Sequence, residues 1–145
     1  MRKIGLIMVV PALGLSLAAC GDTNDSGGSS DGKAEVHTTL EDFRIKLDET
    51  SAAAGPVAFE VDNKGPSTHE FVVVKTDLAA DKLPTDENGD VDEEGDGITA
   101  VDEIEDIAKG DSPKLEVDLE AGDYVVFCNL PGHYRQGMHA TFTVT

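Results

Sequence analysis

The sequence predicts an all-β protein, an antiparallel β-sandwich, on three observations. Apolar residues alternate with polar ones in several short runs, the period of a strand with one buried face. Gly- and Pro-containing turn signals separate those runs. No stretch carries the long periodicity of an amphipathic helix. The chain has 145 residues, enough for one domain of ordinary size.

The first residues read as an address rather than as part of that fold. Arg2 and Lys3 form a short basic start, and residues 4–19 are apolar apart from breaks at Gly5, Pro11, Gly14 and Ser16. That suits a secretory signal better than a membrane span, which needs about 20 apolar residues. The segment ends Leu17-Ala18-Ala19-Cys20. Small residues before a Cys resemble the bacterial lipobox, in which the Cys sulfur is acylated and the preceding peptide is removed. The alternative is an ordinary cleaved signal with a Cys beside it by chance. Residues 1–19 are therefore expected to be a lipoprotein signal peptide and Cys20 the lipidation site. The protein is then extracytoplasmic, anchored to a bacterial membrane through lipid on Cys20. Residues 20–33, rich in Gly, Ser and Asp, form a tether with a root-mean-square reach of roughly 20 Å.

The folded domain is expected over residues 34–145. His37 lies in its first strand. Phe43, Ile45 and Leu47 alternate with Arg44 and Lys46. Residues 56–61 put Val57, Phe59 and Val61 on one face, and residues 71–74 are a continuous apolar run, as for a strand at the centre of a sandwich. Leu115, Val117 and Leu119 alternate with acids, Ala121-Gly122-Asp123 turns the chain, and residues 124–128 form the next strand. Ala140, Phe142 and Val144 alternate with threonines, and all five Phe fall in these segments.

Residues 76–112 break the pattern and read as an acidic insertion draped over one side of the sandwich. Residues 77–111 hold 14 acids and two lysines, a formal charge of −12. Leu83-Pro84 and Glu87-Asn88-Gly89-Asp90 signal turns. Ile98, Val101, Ile104 and Ile107 lie three apart, which predicts a short helix or 3₁₀ piece, with these apolar residues as anchors. The insertion reads as a solvated surface; the alternative is long-range steering of basic partner proteins, which salt would weaken. Calcium is not expected: residues 90–96 partly fit a calcium loop, but Val101 stands where that loop needs Glu.

The formal net charge of −18 argues against nucleic acid as a partner, because phosphates are held by clustered Lys and Arg. Two Cys cannot build a disulfide scaffold. If Cys20 carries lipid, Cys128 is the only free thiol.

The chemistry gathers near the C-terminus. Cys128, His133 and Met138 follow one another at five-residue intervals, with Pro131-Gly132 and Gly137 allowing the backbone to turn between them. Thiolate, imidazole and thioether are a soft ligand set, suited to copper. His69 offers a second imidazole where a turn enters the central apolar strand. His69, Cys128 and His133 make a trigonal set with Met138 as weak axial donor, the arrangement of a blue-copper electron-transfer site. Taken singly, each has a plainer reading: a buried Cys, a core Met, a surface or edge His. The joint pattern favours the metal. His139 follows Met138 and by strand alternation points away from it, and His37 has no soft partner nearby.

On these residues the chain resembles the cupredoxins, especially small copper proteins of the rusticyanin and sulfocyanin kind, with plastocyanin as a further relative. The resemblance covers roughly residues 34–145. It is tightest in Thr68-His69-Glu70-Phe71-Val72-Val73-Val74, in Gly122-Asp123-Tyr124-Val125-Val126-Phe127-Cys128, and in Cys128-Asn129-Leu130-Pro131-Gly132-His133 through Met138. It implies a Greek-key arrangement of the sandwich and one type 1 copper per chain. It also implies an electron port at the imidazole edge of His133, where redox partner proteins dock within an apolar patch that includes Leu130, Pro131 and Pro66. Glu70 departs from the neutral hydrogen-bonding residue associated with the family after the first ligand.

Four protein ligands leave no strong open position for substrate. The expected function is therefore a lipid-anchored blue-copper electron carrier, not an enzyme. The alternative is an extracytoplasmic copper storage or delivery protein using the same ligands.

Overall fold

The computed structural model describes residues 32–145; the expected signal peptide, Cys20 and most of the expected tether lie outside the described residues. Nine strands follow in order: β1 (Ala34–Glu41), β2 (Arg44–Leu47), β3 (Ser51–Ala52), β4 (Gly55–Asn63), β5 (His69–Lys75), β6 (Thr99–Ile107), β7 (Lys114–Leu119), β8 (Gly122–Phe127) and β9 (His139–Val144). A single 3₁₀ turn, η1 (Tyr134–Gln136), precedes β9. Among the described residues no helix is long and apolar enough to cross a membrane.

The strands form two sheets, β2-β1-β4-β7 and β3-β9-β8-β5-β6. The expected sandwich is present, but its sheets are mixed rather than purely antiparallel. β1 pairs parallel with β4, and β3 pairs parallel with β9. Side-chain alternation reports which face is buried, and it is the same for either pairing direction.

The core follows the predicted faces. Val57, Phe59 and Val61 are fully buried, with Val36 and Leu40 beside them from β1. Phe71 and Val73 face this core together with Tyr124, Val126, Phe142 and Val144. Val72 and Val74, on the other face of β5, pack with Val125, Phe127, Tyr134, Leu83 and Val91 into a second apolar cluster. β5 is thus apolar on both faces because both are covered. Burying each such side chain contributes roughly 1.5–3 kcal/mol.

Two expectations are corrected. Phe43 is not a strand residue. It lies in the turn between β1 and β2 with φ 61° and is 40 % exposed, while Ile45 carries the buried position. Ile98 to Ile107 is not helical: residues 99–107 form β6, paired antiparallel with β5. The register slips between His69↔Ile107 and Phe71↔Ile104, and Asp106 there has φ 53°. That is a β-bulge, in which an extra residue resets the side-chain parity. Ile104 and Ile107 both reach the core side at a spacing of three, a spacing otherwise typical of a helix.

Candidate metal centre

The topology brings one end of three strands to the same pole. β5 runs antiparallel to β8 with Val72 opposite Phe127, and β8 runs antiparallel to β9 with Phe127 opposite His139. His69 opens β5, Cys128 follows β8, and Met138 precedes β9. Residues distant in sequence therefore end side by side.

The loop between β8 and β9 is closed by its own backbone. The Cys128 N–H donates to the Met138 carbonyl at 3.1 Å, and the Met138 N–H donates to the His133 carbonyl at 3.2 Å. The His133 N–H donates to the Leu130 carbonyl at 2.9 Å. Gly137 closes η1 at φ 102°, a conformation costly for residues with a Cβ. Three candidate ligands are thus fixed by main-chain bonds within one short segment.

His69, Cys128 and His133 converge. Their ligand atoms lie within 4.8 Å of one another. Cys128 Sγ is 3.3 Å from His133 Nδ1 and 4.0 Å from His69 Nδ1, and the two Nδ1 atoms are 3.3 Å apart. A point equidistant from all three lies about 2.1 Å from each, within the ~2.0–2.3 Å range of first-row metal bonds to imidazole and thiolate. The donor set fits one soft, low-coordinate metal ion. Met138 is fully buried in the same core cluster as Cys128. His139 instead packs at a tilt against Tyr134, with ring centroids 5.3 Å apart, and His37 pairs with Glu60 at 2.9 Å; neither joins the cluster.

Burial sets the protonation of the free ligands. It pushes the His69 imidazole below its ordinary value; the nearby His133 adds to this and Asp42 opposes it. His69 is thus held neutral and ready to donate a lone pair. Burial pushes the Cys128 thiol up, against the N–H donors of Glu70 and Leu130. Metal uptake therefore releases the thiol proton.

The Glu70 N–H donates to Cys128 Sγ at 3.3 Å. That bond uses the main chain, so the residue type at position 70 is free to vary. The Glu70 carboxyl lies toward the acidic face, where burial and then Glu103, Glu105, Glu93 and Asp106 hold its pKa up.

Two neighbours were not legible as site residues. Phe43 meets the His133 ring edge-on, with centroids 5.5 Å apart. Asp42 places Oδ1 3.3 Å from His69 Nε2. Asp42 looks in sequence like any turn acid, and Phe43 like a strand residue. His69, Cys128 and Met138 are fully buried, whereas His133 and Leu130 are half-buried and Phe43, Pro66 and Pro131 are exposed.

Comparison with known proteins agrees with this geometry. The family described as copper binding proteins, plastocyanin/azurin family, matches residues 32–145. No curated protein is significantly similar in sequence. Among solved structures, reduced auracyanin from the photosynthetic bacterium Roseiflexus castenholzii is 19 % identical, with a TM-score of 0.55 over 81 % of this chain and 99 % of that one. Rusticyanin from Thiobacillus ferrooxidans is 16 % identical, with a TM-score of 0.59 over 80 % of this chain and 79 % of that one. Auracyanin A, a "blue" copper protein from Chloroflexus aurantiacus, is 19 % identical, with a TM-score of 0.53 over 79 % and 100 %. At these identities the structures establish a shared fold.

Proposed function

The chain belongs to the plastocyanin/azurin family of copper-binding proteins, and on that premise we propose that it is a lipid-anchored electron carrier cycling between Cu(I) and Cu(II). His69, Cys128, His133 and Met138 form its type 1 copper site. The observation that carries the reading is the convergence of two imidazoles and one thiol, one from the start of β5 and two from the β8–β9 loop, at a single pole. Copper, when bound, supplies a one-electron couple whose two oxidation states favour different coordination.

The protein's part is to hold the donors still. His69 is seated at the start of a strand covered on both faces, and Cys128 and Met138 are tied by a backbone bond. Ligands fixed by packing and backbone change little when an electron arrives, which keeps the reorganisation small. The N–H on the Cys128 sulfur tunes the potential. His133, the half-buried member of the set, is the port. Redox partner proteins dock there on a small apolar surface including Phe43, Pro66, Leu130 and Pro131, suited to weak and transient contact.

The test is to add Cu(II) to the purified full-length chain and record visible and electron-spin spectra. One equivalent should give intense colour, and Cys128→Ser should abolish it. Colour retained in that variant would remove Cys128 from the ligand set. Reversible cycling at fixed copper content supports electron transfer; rapid loss of Cu(I) to a mild chelator without such cycling identifies a delivery protein. Mass analysis of membrane-extracted protein should find acyl chains on Cys20; an unmodified Cys20 would make it a soluble secreted protein.

A further inference from the structure

We propose that Asp42 is a positioning residue for His69: its carboxylate faces Nε2, keeps the ring proton on that nitrogen and so commits Nδ1 to the metal. The proposal deepens the copper reading above and rests on it. The His69 ring is fully buried, and its two nitrogens face different surroundings. Nδ1 faces Cys128 Sγ and His133 Nδ1. Nε2 faces Asp42 Oδ1 at 3.3 Å. Nε2 and Oδ1 are both buried, and neither makes a formed hydrogen bond among the described residues. The separation is long and out of line for one, so the two atoms stand as each other's facing polar group.

A neutral imidazole carries one N–H, on one nitrogen or the other. A proton on Nδ1 would block the ligand position and leave the Nε2 lone pair against a carboxylate oxygen, two buried acceptors face to face. A proton on Nε2 turns the positive end of an N–H toward that carboxylate and leaves the Nδ1 lone pair free. The buried surroundings select the second arrangement, since it replaces two facing acceptors with an N–H turned toward a carboxylate.

Asp42 is itself held in place. Ser67 Oγ donates to its Oδ2 at 3.2 Å. Gly65 packs so closely that a Cβ there would lie 3.0 Å from both Asp42 Oδ1 and His69 Nε2. The β1–β2 turn, the turn before β5 and the first residue of β5 thus meet at the back of the imidazole. A carboxylate on the remote nitrogen raises the basicity of the donor nitrogen, and losing such a partner costs ~10–100-fold in metal affinity. The more highly charged Cu(II) gains most from a basic donor. A tenfold loss confined to Cu(II) would raise a one-electron potential by about 59 mV.

The experiment compares wild type, Asp42→Ala, Asp42→Asn and Ser67→Ala as full-length chains, with thermal unfolding as the check of folding. Nitrogen NMR of the metal-free chain reads the His69 tautomer, and voltammetry of the copper-loaded chain reads the potential. Wild type should hold the Nε2–H form. Asp42→Ala should gain the Nδ1–H form and a higher potential, with Asp42→Asn keeping the tautomer and shifting the potential less. Ser67→Ala should keep the wild-type tautomer. A folded Asp42→Ala with wild-type tautomer and potential would overturn the proposal. If that variant does not fold, an unshifted potential in Asp42→Asn would overturn it. Failure of wild type to take up copper would sink the copper reading instead, and the tautomer in the metal-free chain then decides the role of Asp42.

Discussion

Two connections meet at the ligand pole and are made of opposite materials. The loop at residues 128–138 contains no acid, and its turns are closed by its own backbone. The segment at residues 76–112 carries most of its charge as carboxylates facing solvent, yet it is the outer brace of that loop. The Val91 N–H donates to Asn129 Oδ1 at 2.7 Å, while Asn129 Nδ2 donates to the Val91 carbonyl and to Glu93. The Gly132 N–H donates to Asp90 Oδ1 at 3.0 Å. The Tyr134 hydroxyl accepts from the Leu83 N–H at 2.9 Å and donates to the Ala80 carbonyl at 2.8 Å. Leu83 and Val91 are buried against the same cluster as Tyr134. The loop side of this junction is neutral (amide, phenol and main-chain N–H groups), and on the acidic side only Asp90 and Glu93 turn a carboxylate toward it.

Tyr134→Ala breaks this union most completely. It removes a buried ring packed on Phe127 and His139 as well as both hydroxyl bonds. The expected cost is ~3–5 kcal/mol in denaturant unfolding. Tyr134→Phe keeps the ring and leaves the buried Leu83 N–H unpartnered, at about 1–3 kcal/mol. Equal stability of Tyr134→Phe and wild type would show that packing alone joins the two connections.

Asn129→Ala sharpens the comparison on the functional side. It follows the ligand Cys128 directly and makes three bonds to the acidic segment. Loss of about 1–3 kcal/mol is expected, together with a measurable shift in copper potential because the ligand loop loses its brace. Lost stability with an unmoved potential would mean that the backbone bonds of the loop hold the ligands unaided.

The ligand loop was legible in the sequence because its donors are local: Cys128, His133 and Met138 sit on one turn-rich stretch whose flanks alternate as strands. His69 was legible because it opens the apolar run of β5. What escaped depends on pairing. The Asp42–His69 and Phe43–His133 contacts join the β1–β2 turn to elements far along the chain, and nothing local distinguishes a turn acid behind an imidazole from one in water. β6 escaped because the bulge at Asp106 converts a strand's period of two into a spacing of three. The parallel pairings of β1 with β4 and of β3 with β9 leave no mark on alternation.

The smallest expected effect tests the acidic side alone. Burial raises the Glu103 pKa, with Glu93, Glu105 and Asp102 adding to it, from the ordinary value of 4.5. Between that value and the raised one the folded chain binds more protons than the unfolded chain. Stability contributed by this group therefore falls as pH rises through that window, and the penalty is fully present above it. Glu103→Gln should stabilise the protein at about pH 7 and do so less at about pH 4, where both states are largely protonated. Added salt should shrink the gain, since screening acts on exposed charges first. The copper potential should move little beside the shift in Asn129→Ala, because Glu103 sits on β6 opposite Val72 rather than on the ligand loop. Denaturant midpoints at the two pH values check this, and an equal gain at both would assign the effect to packing at β6 instead of charge.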